Sequence, residues 1–271
     1  MQARLGGEHS SAIVRRPAQM SAKIYYPARE LAEKYIEILP RFRLDQGLAD
    51  WAAQYALGHA GRCLWDARFL ANHIGNGRVL NIGGAPYVFE MILRHQRPDL
   101  ELVTVDLDPN RFPGVEEALG IRVIQGNIET PAWELYETFD CIVFAEILEH
   151  MRIDLLGTLD RLRNQLKSDG TLYLTTPNGL SFLNIFHHFL QGRTGPPPIR
   201  EWGKLGSLGH MGHIREYSLI EVTELLTTCD FAIDKVIFRS QRDGNWPLRD
   251  LLVRSRSSLA GEIVIVARRG H

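Results

Sequence analysis

The 271-residue sequence predicts an α/β fold: a doubly wound, seven-stranded, mostly parallel sheet preceded by a helical extension. Three observations carry this expectation. From residue 78 onward, short β-branched runs alternate with amphipathic helical stretches. Before that point the apolar residues recur at helical spacing. The length suits one large α/β core better than two small domains.

Taken in order, residues 1–20 are mixed in composition and lack periodicity, which reads as a disordered lead-in. Residues 21–76 form the helical extension, two or three helices marked by Leu31, Tyr35 and Ile38, then Leu48, Trp51 and Tyr55, then Leu64, Phe69 and Leu70. Residues 77–271 hold the sheet domain. Its strands are expected at Arg78–Ile82, Leu102–Asp106, Ile121–Gln125, Phe139–Phe144, Thr171–Thr176, Lys235–Ser240 and Glu262–Ala267. Helices are expected at Val88–Gln96, Leu155–Leu166 and Leu219–Thr228. The last two strands show no helical pattern between them, so they are expected to form an antiparallel hairpin. Residues 179–212 break the rhythm: an apolar amphipathic stretch runs into Pro196–Pro198. A long irregular insertion of this kind is usually a lid or binding loop; a flap on a neighbouring protein or an interfacial membrane contact are the alternatives.

Composition narrows the function. Net charge is −1, with no global basic field of the kind that marks obligate nucleic-acid binders. Cys63, Cys141 and Cys229 show neither metal-ligand nor disulfide spacing, which fits a reducing, cytoplasmic location. Neither a signal peptide nor a stretch long enough to span a bilayer is evident.

In a doubly wound sheet, ligands sit at the carboxyl ends of the strands. The first strand runs into Asn81, Gly83, Gly84, Ala85 and Tyr87, a glycine-bearing turn that lets a ligand approach the backbone and a helix N-terminus. The second ends at Asp106 and Leu107, where a carboxylate can accept from two ribose hydroxyls. Asn127 and Ile128 follow the third, where an adenine ring could be read. A dinucleotide would want Gly-x-Gly-x-x-Gly, whereas the matching positions here hold Ala85 and Val88. A phosphate-free adenosine ligand, S-adenosylmethionine (SAM), fits better.

Three segments then carry a family resemblance. Phe139–Met151 resembles the motif FD-V---E-LEH of class I SAM-dependent methyltransferases. Leu166–Asn178 resembles their LKPGG-L---TPN element, and His213–Ser218 resembles their H-REYT element. The usual Asp-x-Gly-x-Gly-x-Gly departs to Asn81, Gly83, Ala85 and Tyr87, which leaves room for either a subfamily trait or a non-catalytic scaffold. The resemblance implies a Rossmann-like fold with SAM as cofactor, Ala145 and Glu146 completing its pocket.

If Glu146 opens a helix, then Glu146, Glu149 and His150 share one face. With His213 they could ligate a divalent metal, Mg or Zn, that acidifies an acceptor hydroxyl. Alternatively His150 or His213 acts as a general base, with Glu146 assisting. Similar Glu-x-x-Glu-His arrangements occur in ubiquinone-biosynthesis O-methyltransferases and in RNA 2′-O-methyltransferases. His210 is a weaker candidate, Trp202 a possible substrate platform, and Arg215 with Glu216 a structural ion-pair network or an anion grip. The expected partner is a small-molecule hydroxyl acceptor such as a saccharide, a quinone-like compound or a natural product. RNA is the alternative substrate, although no basic, aromatic-rich segment supports it. The N-terminal helices are expected either to close over the site or to form a homodimer interface.

Overall fold

The computed structural model describes residues 18–19, 22–193, 195–208, 212–240 and 247–270. Helices α1 (Ala22–Ile38) and α2 (Gln46–His73) form the extension, joined through a 3-10 turn at Leu39–Phe42. Asp45 starts α2 by accepting from the Leu48 amide at 2.9 Å, which satisfies an otherwise orphaned donor. There follow β2 (Arg78–Ile82), α3 (Val88–Gln96), β3 (Glu101–Asp106), α4 (Val115–Leu119), β4 (Arg122–Gln125), β5 (Phe139–Ala145), α5 (Leu155–Gln165) and β6 (Leu166–Pro177). The chain continues through α6 (Phe182–Gln191), α7 (Pro198–Leu208), α8 (Leu219–Thr228), β7 (Phe231–Ser240), α9 (Pro247–Ser255) and β8 (Glu262–Arg269). A two-residue strand, β1 (Ala18–Gln19), pairs with β7 at the sheet edge.

The strand order is β1-β7-β8-β6-β5-β2-β3-β4, parallel throughout except for β8, which runs antiparallel to both β6 and β7. The seven expected strands and the antiparallel final pair are therefore present. Two local expectations are corrected. The β7–β8 connection contains helix α9, anchored by buried Val253. The 179–212 insertion is largely helical, forming α6 and α7; Ser181 caps α6 on the Asn184 amide and Gly192 ends it at φ +62°. Within the lead-in, only Ala18–Gln19 fall among the described residues.

Two apolar cores flank the sheet. On one face α1, α2 and α3 pack through Tyr35, Leu64, Leu70 and Ile92 against Val79 and Val143. On the other, α5 and α8 pack through Leu159, Leu162 and Val222 against Leu80, Ile142 and Ile265. Each fully buried Leu or Ile contributes about 1.5–3 kcal/mol. The extension thus shares the sheet's core. A buried charge cluster also fastens it: Arg239 on β7 pairs with Asp66 of α2 and Glu262 of β8, and lies 4.8 Å from the Trp65 ring. The three cysteines are free and buried. No helix among the described residues is long and apolar enough to cross a membrane.

Candidate active site

Chain order places β3 on one side of β2 and β5 on the other, so a crevice opens at their carboxyl ends. It holds a cleft of about 850 Å³. Gly83, Ala85, Asp106, Leu107, Asn127, Ile128, Ala145 and Glu146 all line it, eight of the eleven positions expected to surround the cofactor.

Gly83 sits at φ +75°, a left-handed conformation that glycine alone adopts without strain, and a Cβ there would come within 2.4 Å of Ile147 Cδ1. The bare glycine therefore takes the left-handed turn while the Ile147 side chain closes against it at the cleft wall. Asp106 is fixed from behind. Its Oδ2 accepts from the Ala85 amide at 3.0 Å and its Oδ1 from the Asp108 amide at 3.1 Å, leaving the remaining lone pairs for a diol.

Asn81, Gly84 and Tyr87 differ from expectation, since they stand behind the cleft wall. Asn81 donates through Nδ2 to Glu90 at 2.7 Å, and Tyr87 is fully buried with its ring edge-on to Phe112 at 5.3 Å. A Cβ on Gly84 would meet Thr104, Glu90 and Tyr87 atoms at 2.5–2.7 Å, so this glycine serves packing. Tyr87 consequently neither caps nor crowds a ligand. Between these residues lies the buried carboxyl of Glu90, which burial pushes up to about 7.

The reacting end departs from the helical geometry expected of it. Strand β5 ends at Ala145, Glu146 turns left-handed at φ +57°, and Leu148–His150 form a 3-10 turn. The shared i, i+3, i+4 face never forms. Glu146 is instead engaged by Arg62 Nη1 at 2.9 Å and by the Thr175 hydroxyl at 2.9 Å. Three of the four expected ligands do converge: donor atoms of Glu149, His150 and His213 all lie within 4.8 Å of one another.

Each member of this trio is oriented from outside. His150 Nδ1 meets the Gly212 carbonyl at 2.9 Å, and His213 Nδ1 meets Glu216 Oε1 at 3.3 Å. The Glu149 carbonyl accepts from the Ile214 amide at 2.7 Å, tying the 3-10 turn to the segment that carries His213. Glu149 accepts from Thr176 Oγ1 at 3.1 Å through Oε2, whereas its buried Oε1 has no hydrogen-bond partner. Burial, reinforced by the nearby Glu146 charge, holds Glu149 well above the ordinary carboxylate range. An orphaned carboxylate oxygen beside two oriented imidazoles fits either an incoming hydroxyl donor or a divalent ion.

The profile of a methyltransferase-domain family matches residues 55–236. The chain belongs to this family. Among solved structures, the methyltransferase resembles the Burkholderia thailandensis 1,6-didemethyltoxoflavin-N1-methyltransferase, solved with its substrate and S-adenosylhomocysteine (17% identity, 88% of this chain and 90% of that one, TM-score 0.51). It also resembles the pyocyanin biosynthetic protein PhzM (13%, 80% and 57%, TM-score 0.52). A third is the neocarzinostatin-biosynthesis O-methyltransferase NcsB1, in complex with S-adenosylhomocysteine and 1,4-dihydroxy-2-naphthoic acid (15%, 82% and 56%, TM-score 0.50). The chain thus spans little more than half the length of the last two. These likenesses show the Rossmann-like fold, and the family match makes the chain a methyltransferase-domain protein. No curated protein matches the chain in sequence.

One wall of the cleft comes from the helical extension, for which closure over the site was one expected role, although no residue of it was singled out as a site residue. Helix α2 lines it with Trp51, Tyr55, His59 and Arg62. Arg62 donates to Tyr55 Oη at 2.7 Å while holding Glu146, and the His59 ring lies 4.4 Å from that of Tyr55. Burial first, and then the Arg62 charge, lowers His59 to about 4, so it is a neutral imidazole. The signal was present as a polar and aromatic stripe at i, i+4, i+8 and i+11. Trp202, by contrast, stands outside the cleft and 69% exposed. Arg215 pairs with Glu221 and also lies outside the cleft, whereas Glu216 lines it and supports His213. His210 lies outside the described residues.

Proposed function

We propose that the methyltransferase methylates a hydroxyl of a small molecule, with His150, His213 and Glu149 as its reacting end. The observation that carries this reading is their convergence in the cleft that Gly83 and Asp106 also line. SAM, when bound, supplies an electrophilic methyl group on a sulfonium. Gly83, Ala85 and the Asp106 carboxylate would hold its ribose and backbone-facing edge, and Leu107, Asn127 and Ile128 its adenine. Ala145 and Glu146 line the methionine side.

The remaining steps belong to side chains of this chain. Glu149 Oε1, unpartnered and buried, positions the acceptor hydroxyl. An imidazole of the His150–His213 pair takes the hydroxyl proton as the oxygen attacks the methyl carbon. Glu216 stabilises the charge that then develops on His213. A divalent ion, Mg or Zn, held by Glu149, His150 and His213 would acidify the same hydroxyl. The α2 wall of Trp51, Tyr55 and neutral His59 favours a planar, ring-bearing acceptor, the class exemplified by the naphthoic acid bound to NcsB1.

The test is His213→Ala, assayed for SAM affinity by calorimetry and for turnover against hydroxylated aromatic, quinone-like and saccharide acceptors, with added Mg²⁺ or Zn²⁺ and with chelator. The expected result is retained SAM affinity with turnover reduced by about 10²–10⁴. A fully active variant would remove His213 from the chemistry. Methylation confined to amine acceptors would refute the hydroxyl reading.

A further inference from the structure

Exposed apolar side chains gather on one part of this molecule. Phe189 and Leu190 at the end of α6, with Ile199 and Trp202 on α7, are 67–89% exposed. Leu180 and Ile214, also exposed, border the same groove of about 800 Å³ as Phe189 and Trp202. Single exposed leucines are ordinary on soluble proteins, whereas a contiguous aromatic and aliphatic group marks a contact surface.

The surrounding charge says what kind of contact. Between residues 179 and 204 the basic residues are Arg193, Arg200 and Lys204, and the acidic residue is Glu201, a local charge of +2 in a chain of net −1. The Glu201 side chain is 5% exposed. It is held by Arg200 and Lys204, and it accepts from the His213 amide at 3.1 Å, which turns its charge inward. On the groove's far rim, Glu216 is engaged by Asn184 and His213, and Glu221 by Arg215. Outward-facing charge beside the apolar residues is therefore mainly cationic. Phe, Leu and Trp edged by Arg and Lys is the pattern of helices that lie in a lipid headgroup layer. A second copy applied to the same face would bring two sets of cations together, which disfavours self-association there.

We propose that α6 and α7 seat the methyltransferase on an anionic lipid bilayer, with Phe189, Leu190, Ile199 and Trp202 entering the headgroup layer and Arg193 and Arg200 meeting lipid phosphates. The same helices also line the catalytic cleft, through Phe182, Leu183 and His187 on α6 and Arg200 and Lys204 on α7, and Arg193 between them borders both the cleft and the groove. Docking therefore sets the cleft opening beside the lipid surface. The proposal stands independently of which acceptor atom is methylated.

The full chain should be sedimented with vesicles of phosphatidylcholine alone and of phosphatidylcholine containing about one third phosphatidylglycerol. Partition should be about tenfold or more stronger on the anionic vesicles and should weaken with added salt. Tryptophan emission should shift to the blue on binding, and Trp202→Phe should abolish that shift. The double variant Phe189→Ser, Ile199→Ser should lose binding while keeping wild-type circular dichroism and SAM affinity; should it misfold, Arg193→Glu supplies the comparison through lost preference for anionic vesicles. No partition onto anionic vesicles, equal partition onto both kinds, or binding unchanged in a folded variant would each overturn the proposal. So would a wild-type dimer that these substitutions dissociate with no vesicle binding, which would make the face a contact between copies.

Discussion

Asp106 is held by two backbone amides, so its carboxylate meets a ligand already oriented. Preorganisation of this kind avoids an ordering cost on binding. Asp106→Ala should weaken SAM affinity by about 1.5–3 kcal/mol, measured by calorimetry; an unchanged affinity would exclude the diol contact. Glu90 illustrates the opposite situation. It is a fully buried carboxyl, raised by desolvation to about 7 from 4.5 and accepting from Asn81 and Thr104. Below pH 4.5 both folded and unfolded chains carry the proton, and its contribution to stability is complete. As pH rises from about 4.5 to about 7, the unfolded chain releases the proton first and stability falls, by as much as about 3 kcal/mol. Urea titrations of the wild type and of Glu90→Gln across this window should show a slope in the former that flattens in the latter. Parallel profiles would mean that Glu90 stays ionised in the fold.

At the scale of elements, the turn joining β2 to α3 separates two kinds of glycine requirement. Gly83 takes the left-handed turn and admits Ile147 at the cleft wall, whereas Gly84 admits Thr104, Glu90 and Tyr87 behind it. Gly84→Ala should therefore destabilise the fold by about 1–3 kcal/mol through overpacking, read from thermal or urea unfolding. A wild-type midpoint would show that the turn relaxes freely. From sequence alone both glycines looked like ligand contacts, because spacing reveals a turn but not which side of it each residue faces. The Glu146–His150 segment was misjudged for a related reason. Period arguments extend a helix through every residue, and one left-handed residue at Glu146 cancels the period. Glu149, His150 and His213 were nonetheless legible, because strand-end position and residue chemistry survive that local error. The α2 wall was left open between packing on the sheet and covering a cleft, because aromatic residues at helical spacing look the same whether they face a sheet or a cleft.

For the whole molecule, alternating strand and helix patterns specified the topology because each parallel strand pair needs a helical crossover. Helix α9 escaped notice because among its described side chains only Val253 is buried while Leu251 is exposed, so its apolar residues do not mark one face. The Arg239 cluster was likewise invisible, since its partners sit far apart along the chain and only the folded sheet edge brings them together. Arg239→Leu would strand Asp66 and Glu262 as unpaired buried carboxylates and should cost about 3–5 kcal/mol. Equilibrium urea unfolding checks this, and near-wild-type stability would show that the two acids take up protons without penalty.

The same cluster constrains the order in which the molecule can be finished during synthesis. Asp66 emerges from the ribosome 173 residues before Arg239, and Glu262 follows later still. Until β7 and β8 have assembled, the carboxylate on α2 has no counterion, and the helix that carries Trp51, Tyr55, His59 and Arg62 lacks its anchor at that end. In a nascent or prematurely ended chain α2 is held by its apolar core contacts alone until the last strands close these ion pairs.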